Sequence, residues 1–327
     1  MVTRSGFAAL LVLALGLAAC GNEEAELAEK AKQKQALEQT SLDQALAAYN
    51  AGDFQTALAV LRPLADAGNI AAQNNVGRMY YDGKGVPEND AEAVKWFQLA
   101  AEKGHPMAQF NLGAAYEYGN GVQQDIEQAL RWYRQAAQQG QPEAQVNLGR
   151  MYDEGLGMAQ NPLAALRWFS LAAARGLPEA QFDLGVLYSS GRVAPKNDAE
   201  ALKWYRRAAD QGFTEAQYTL GNIYEDGTGV MQDYAEAMRW YRMAAAQGHA
   251  GAQNNLGRLY ADGLGVPRDR VKVLMWYNIA LPGLRGEEAS SALAYRDQLA
   301  SGMTRQQVAQ AEALTMRCRE SGFKACE

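Results

Sequence analysis

The chain has 327 residues and a formal net charge of −6 at pH 7, so it lacks the basic field that gives proteins sequence-independent affinity for nucleic acid. Three cysteines and two histidines are a poor supply of nucleophiles, bases and metal ligands, and no catalytic constellation or cofactor site is expected. A globular chain of this length would divide into two domains, but a one-dimensional array has no single core to outgrow, which favours one long domain.

At the N-terminus Arg4 precedes an apolar run from Phe7 to Leu17, too short for a mature membrane span but suited to the apolar region of a secretory signal. The run ends Leu17-Ala18-Ala19-Cys20-Gly21, which resembles the lipobox of bacterial lipoproteins. The resemblance implies that residues 1–19 are a removed leader and that Cys20 is acylated and becomes the new N-terminus. Several acyl chains would exceed the two signals that stable anchoring needs, giving a membrane-tethered but otherwise soluble protein. Gly21 is not Asp, which in enteric lipoproteins goes with transfer to the outer membrane, so a periplasm-facing outer-membrane lipoprotein is expected. An ordinary signal peptide with a cysteine near the cut is the alternative. Residues 20–40, rich in Glu, Lys, Gln and Ala, form an anchored polar spacer.

Residues 41–71 carry an irregular first unit, in which Tyr49, Ala57 and Gly68 anticipate the pattern that follows and Asn50-Ala51-Gly52-Asp53 marks a turn. From residue 72 to 283 the sequence repeats every 36 residues, six times. Ala72-Gln73, Gly77, Tyr80, Gly83, Trp96 and Gly104 form the frame, and Trp132, Trp168, Trp204, Trp240 and Trp276 follow Trp96 in register. A fixed period of this size denotes units that bury their apolar faces only by stacking on one another.

Within a unit, Ala72, Val76 and Tyr80 stand at helical spacing, as do Ala93, Trp96 and Ala100. Between them the paired glycines of Asp82-Gly83-Lys84-Gly85 mark a turn, so the unit reads helix A, loop, helix B. Asn89, Asp125, Asn161, Asn197, Asp233 and Asp269 are placed to cap helix B, with Glu92, Gln128, Glu200 and Glu236 as capping-box partners three residues on. The glycine inside helix A, Gly77 and its equivalents, costs about 1 kcal/mol relative to Ala and calls for a close neighbour, either a helix backbone or the tryptophan ring. The tryptophan row itself reads as core.

The motif A-Q-x-x-L/V-G-x-x-Y-x-x-G-x-G-V, followed by A-x-x-W-Y/F-x-x-A-A, resembles the Sel1-like repeat, a relative of the tetratricopeptide repeat. The resemblance implies an all-α fold, an α/α solenoid wound as a right-handed superhelix of helix-loop-helix repeats with N- and C-terminal capping helices. Local departures are Val193, which stands in for the second loop glycine of the fourth unit, and Leu281-Pro282, which ends the last helix B early.

Residues 284–327 read as a helical cap with a tail: one helix over 286–299 and another over 304–319, opened by a Thr304-to-Gln307 capping box. Cys318 and Cys326, eight apart with Gly322 between them, are expected to form a disulfide in an exported protein. His105 and His249 occupy the same inter-repeat slot and read as surface or packing residues.

Function is expected where the units differ. Related superhelices line a concave face with helix A, and by that analogy Asn75, Arg78, Asn111, Asn147, Arg150, Asp183, Asn222, Asn255 and Arg258 would form a polar groove for a peptide or protein partner. The same rows also read as a solvated helix face. An interaction scaffold of the cell envelope is therefore the expected function, with membrane contact through the lipid anchor and no nucleic acid. A cell-wall or β-lactam hydrolase, and a surface protein binding host molecules, are the alternatives.

Overall fold

The structure is a computed structural model that describes residues 5–193 and 195–326, with side chains described from residue 26 onward. The side chain of Cys20 and the leader side chains therefore lie outside the described residues. Among the described residues the elements are sixteen α-helices, and no helix is long and apolar enough to cross a membrane.

The chain divides into two compact units, Met1–Gln141 and Pro142–Glu327. In the first, α1 (Ser5–Asn50) pairs with α2 (Phe54–Asp66), and the repeats begin with α3 (Ile70–Asp82) and α4 (Asp90–Glu102), then α5 (Pro106–Tyr118) and α6 (Ile126–Gln138). The spacer is thus helical: it is part of α1, exposed along most of its described length until Leu42 and Ala45 enter the core beneath α2. In the second unit the pairs are α7 (Pro142–Glu154) with α8 (Pro162–Ala173), α9 (Pro178–Ser190) with α10 (Asp198–Asp210), α11 (Thr214–Asp226) with α12 (Tyr234–Ala245), and α13 (Ala250–Asp262) with α14 (Arg270–Ala280). Two further helices, α15 (Gly286–Ser301) and α16 (Arg305–Glu320), pack on α14 and close that unit.

Helix boundaries follow from caps. Asn89, Asp125, Asn161 and Asn197 each accept the backbone N–H three residues on, and Asp233 and Asp269 accept two such groups. The expected capping-box partners behave differently: Glu92, Glu200 and Glu236 turn forward to Lys95, Lys203 and Arg239, because an ion pair three residues along the same exposed helix face is within closer reach of a cation. The reciprocal box does form at Thr304 and Gln307.

The aromatic that demands glycine in helix A is the residue after the tryptophan, not the tryptophan. A Cβ built on Gly77 would stand 2.8 Å from the Phe97 ring, on Gly113 2.8 Å from Tyr133, and on Gly149 and Gly185 2.5 Å from Phe169 and Tyr205. Each ring packs closely against its own helix A at the glycine, so the glycine's propensity cost is offset by contact no other residue permits. The tryptophans reach the other way, toward the preceding helix pair. Trp96 packs with Leu61 and Met79 under the Arg62 guanidinium, and Trp240 packs with Ala201, Tyr205 and Leu220. Their burial is uneven: Trp240 is 1% exposed, whereas Trp168 and Trp204 are only half-buried.

The second loop glycine also serves stacking. A side chain on Gly85 would meet the Phe54 carbonyl at 2.6 Å, and one on Gly229 would meet the Asp198 Cβ at 2.6 Å, so each loop rests on the start of the preceding helix B.

Candidate functional site

Alternation along helix A sends Ala72, Val76 and Met79 into the core and leaves Asn75 and Arg78 on the opposite side. In the first unit Asn75 and Arg78 are exposed, and Asn111 donates from Nδ2 to Asn74 Oδ1 at 3.2 Å. Arg78 lines two clefts. One, of about 240 Å³, lies between α3 and α5 and is formed by Arg78, Tyr81, Asp82, Val94, Phe97, Phe110, Asn111, Ala114, Ala115 and Asn120. The other, of about 60 Å³, is bounded by Leu46 and Tyr49 of α1 together with Leu61, Asn75 and Met79.

In the second unit the same rows are spent on ties between neighbouring repeats. Arg150 donates to Asn147 Oδ1 at 3.0 Å and to Glu179 Oε1 at 2.9 Å. Asn255 donates to Asn222 Oδ1 at 3.3 Å, Tyr241 OH lies 2.6 Å from the same oxygen and 2.8 Å from Glu225, and Arg258 pairs with Glu225. Burial, reinforced by Glu225, raises the Tyr241 phenol well above its ordinary value and keeps it a donor. The three arginines read as equivalent from sequence therefore part company: Arg78 presents its guanidinium to solvent, while Arg150 and Arg258 hold adjacent helices together.

Asp183 stands between these patterns. Its Oδ2 is enclosed without a hydrogen-bond partner, and burial pushes its carboxyl up to about 7 against the opposing pull of Arg150, with Glu179, Asp153 and Glu154 adding to the rise.

Two polar rows that sequence reading left without a role are structural. Gln73, Gln109, Gln217 and Gln253 are buried, and each donates from Nε2 to a carbonyl in the last turn of the preceding helix B at 3.1 Å. Their side-chain carbonyls accept from the residue ending helix B one repeat on, as Gln139 to Gln109 at 2.7 Å and Gln247 to Gln217 at 2.8 Å. Recurrence of glutamine beside a buried alanine was the available signal, since a frame position so regular has a satisfied partner.

The histidines cap helix A. His105 Nδ1 accepts the Ala108 N–H at 3.2 Å, and His249 Nδ1 accepts that of Ala252 at 3.0 Å with its ring stacked on Tyr218. Asn69 fills the same slot in the first repeat and does the same. A protonated imidazole has no acceptor, and burial lowers both pKa values below the ordinary 6.5. Because the folded values lie below the unfolded one, this contribution is complete above pH 6.5 and declines as pH falls through it. The variant His105→Asn/His249→Asn, which caps without titrating, is expected to gain about 1 kcal/mol on wild type between pH 7 and pH 5. Paired urea melts at the two pH values measure this difference, and an unchanged difference would remove the caps from the account.

Cys318 and Cys326 are joined as a disulfide, their Cα atoms 4.5 Å apart, and both are buried in the cluster that closes the second unit. Arg319 ties the same segment to the Asn278 carbonyl at 2.6 Å, and Phe323 covers Gly248.

The pattern of the family described as Sel1 repeat matches residues 70–105, 106–141, 142–177, 178–213, 214–249 and 250–281, a register two residues ahead of that read from the Ala-Gln pairs. Among solved structures the chain is similar to a Sel1 repeat protein from Oxalobacter formigenes, with 33% identity over 76% of this chain and 98% of that one and a TM-score of 0.69. It is also similar to c5321, a protective antigen of uropathogenic Escherichia coli strains displaying an SLR fold, with 30% identity, 88% of this chain and 70% of that one, and a TM-score of 0.55. No curated protein matches the chain. Sel1 repeat proteins in general mediate protein–protein interactions, typically without catalysis. With helix-loop-helix pairs in six matched segments and two such structural relatives, this chain belongs to the Sel1 repeat family.

Proposed function

We propose that the protein is a lipid-anchored interaction scaffold of the bacterial cell envelope that binds a peptide or protein partner on the outward face of its A helices. The observation that carries this reading is the pair of clefts on either side of the exposed Arg78, where apolar and hydrogen-bonding groups lie together on rigid helices. Immobilised full-length protein should enrich particular sequences from displayed random dodecapeptides. Binding of the enriched peptides should fall about tenfold or more in Asn75→Ala/Arg78→Ala, with stability within about 0.5 kcal/mol of wild type because both residues are exposed. Peptides that bind the double variant undiminished would move recognition off helix A, and no enrichment over bare support would remove the scaffold reading.

The anchor rests on Leu17-Ala18-Ala19-Cys20-Gly21. In cells, Cys20→Ala should shift the protein from the membrane fraction to the soluble periplasmic fraction, and selective detergent extraction of wild type should place it in the outer membrane. An unchanged distribution of the variant would end the proposal of acylation.

A further inference from the structure

The 36-residue period lets one interface of the array serve as a control for another. The slots held by Tyr81, Phe97 and Ala114 at the cleft between α3 and α5 are held, 144 residues on, by Glu225, Tyr241 and Arg258. There the phenol of Tyr241 bonds Glu225 at 2.8 Å and Arg258 pairs with the same carboxylate, so charged and phenolic groups occupy the slots and bond one another. At the α3 and α5 interface the phenylalanine has no hydroxyl, the alanine has no guanidinium, and a cleft of about 240 Å³ remains over Val94, Phe97, Phe110 and Ala114. An apolar cavity of about 150 Å³ is large enough for a benzene ring, so this space accepts one bulky apolar side chain.

The rim carries the opposite chemistry. The Arg78 side chain is 61% exposed, its Nε 3.8 Å from Asp82, and that carboxylate is also 3.2 Å from Lys84 Nζ. Two cations share one carboxylate, which leaves a positive lip on a protein whose overall charge is −6. A guanidinium held so loosely can take a second carboxylate in the bidentate fork that lysine lacks.

We infer that the cleft between α3 and α5 binds an acidic peptide segment, one bulky apolar side chain filling the cleft and a neighbouring carboxylate meeting Arg78. This rests on the reading of the A helices as a recognition face and names the site and partner chemistry within it.

The test uses full-length protein and three fluorescein-labelled dodecapeptides: a Leu-Phe core flanked by Glu and Asp, the same core flanked by Lys, and an Ala-Ala core with acidic flanks. The acidic Leu-Phe peptide should bind at least about tenfold more tightly than either other peptide. A filled variant, Tyr81→Glu/Phe97→Tyr/Ala114→Arg, copies side chains that the fold already accommodates in the second unit, so it should keep its melting temperature and lose at least about tenfold in affinity for that probe. Arg78→Glu should shift preference toward the Lys-flanked peptide. If the filled variant proves destabilised, Ala114→Arg alone is measured by the same binding assay. Undiminished binding by a folded filled variant, or equal binding of the acidic and basic peptides, would overturn the assignment. Displayed peptides that bind wild type and filled variant alike would overturn it while leaving the scaffold reading standing, whereas absence of any peptide enrichment would overturn both.

Discussion

Phe169→Ala is expected to destabilise the second unit by about 3–5 kcal/mol, and Trp168→Ala by about 1–3 kcal/mol, although tryptophan is the larger residue and the more regular one in the sequence. Phe169 is 1% exposed and lies on the bare backbone at Gly149, while Trp168 is half-buried. Removing the Phe169 ring empties a space bounded on one side by the α7 backbone at Gly149, which cannot collapse onto it, so much of the cavity term is retained. Since each repeat stabilises the next, the loss should also broaden the urea transition by separating neighbouring repeats. The glycine supplies an internal check. In wild type, Gly149→Ala places a Cβ 2.5 Å from the ring and should destabilise, whereas in Phe169→Ala the same change should recover about 1 kcal/mol of helix propensity. Urea melts of the four proteins form a double-mutant cycle, and additive effects would contradict the ring-on-glycine contact.

Asp183→Asn is expected to stabilise the protein at pH 8 by about 2 kcal/mol and to do little at pH 4. The carboxyl's folded pKa of about 7 lies above its ordinary 3.8, so the protonated acid is the form the fold prefers. Its contribution is present below pH 3.8, is lost as pH rises through about 7, and stays lost above. At about 1.4 kcal/mol per tenfold the full span would cost about 4 kcal/mol, and partial exposure of the residue reduces this. Asn75, Asn111, Asn147 and Asn255 hold the equivalent slot, so the amide is compatible with the fold. Urea midpoints measured from pH 4 to pH 8 should rise for the variant relative to wild type, opposite in direction to the effect of removing the histidine caps. A flat difference would show that the carboxylate is solvated in the folded state.

The sequence by itself determined the helix pairs, their boundaries and the family. Those features depend on residues that act on their own backbone: Asn89 caps the start of α4, Gly104 ends that helix region with φ of +88°, and the period forces every unit into one pattern. The Cys318–Cys326 pair was legible for the same reason, since the two lie only eight positions apart. Tertiary structure alone decided which aromatic lies on the helix-A glycine, because Trp168 and Phe169 are adjacent in sequence and only the packing angle of helix B sends one to each side. It also decided how the arginines of the candidate rows are engaged. Arg78 and Arg258 hold the same slot of helix A, and each has an aspartate four residues on, Asp82 and Asp262. Glu225 of the preceding repeat engages Arg258, while at the first interface Tyr81 and Ala114 leave a cleft beside Arg78. Contacts between repeats depend on pairs of residues 33 positions apart, as for Arg258 and Glu225, and a single frame read one unit at a time does not contain them.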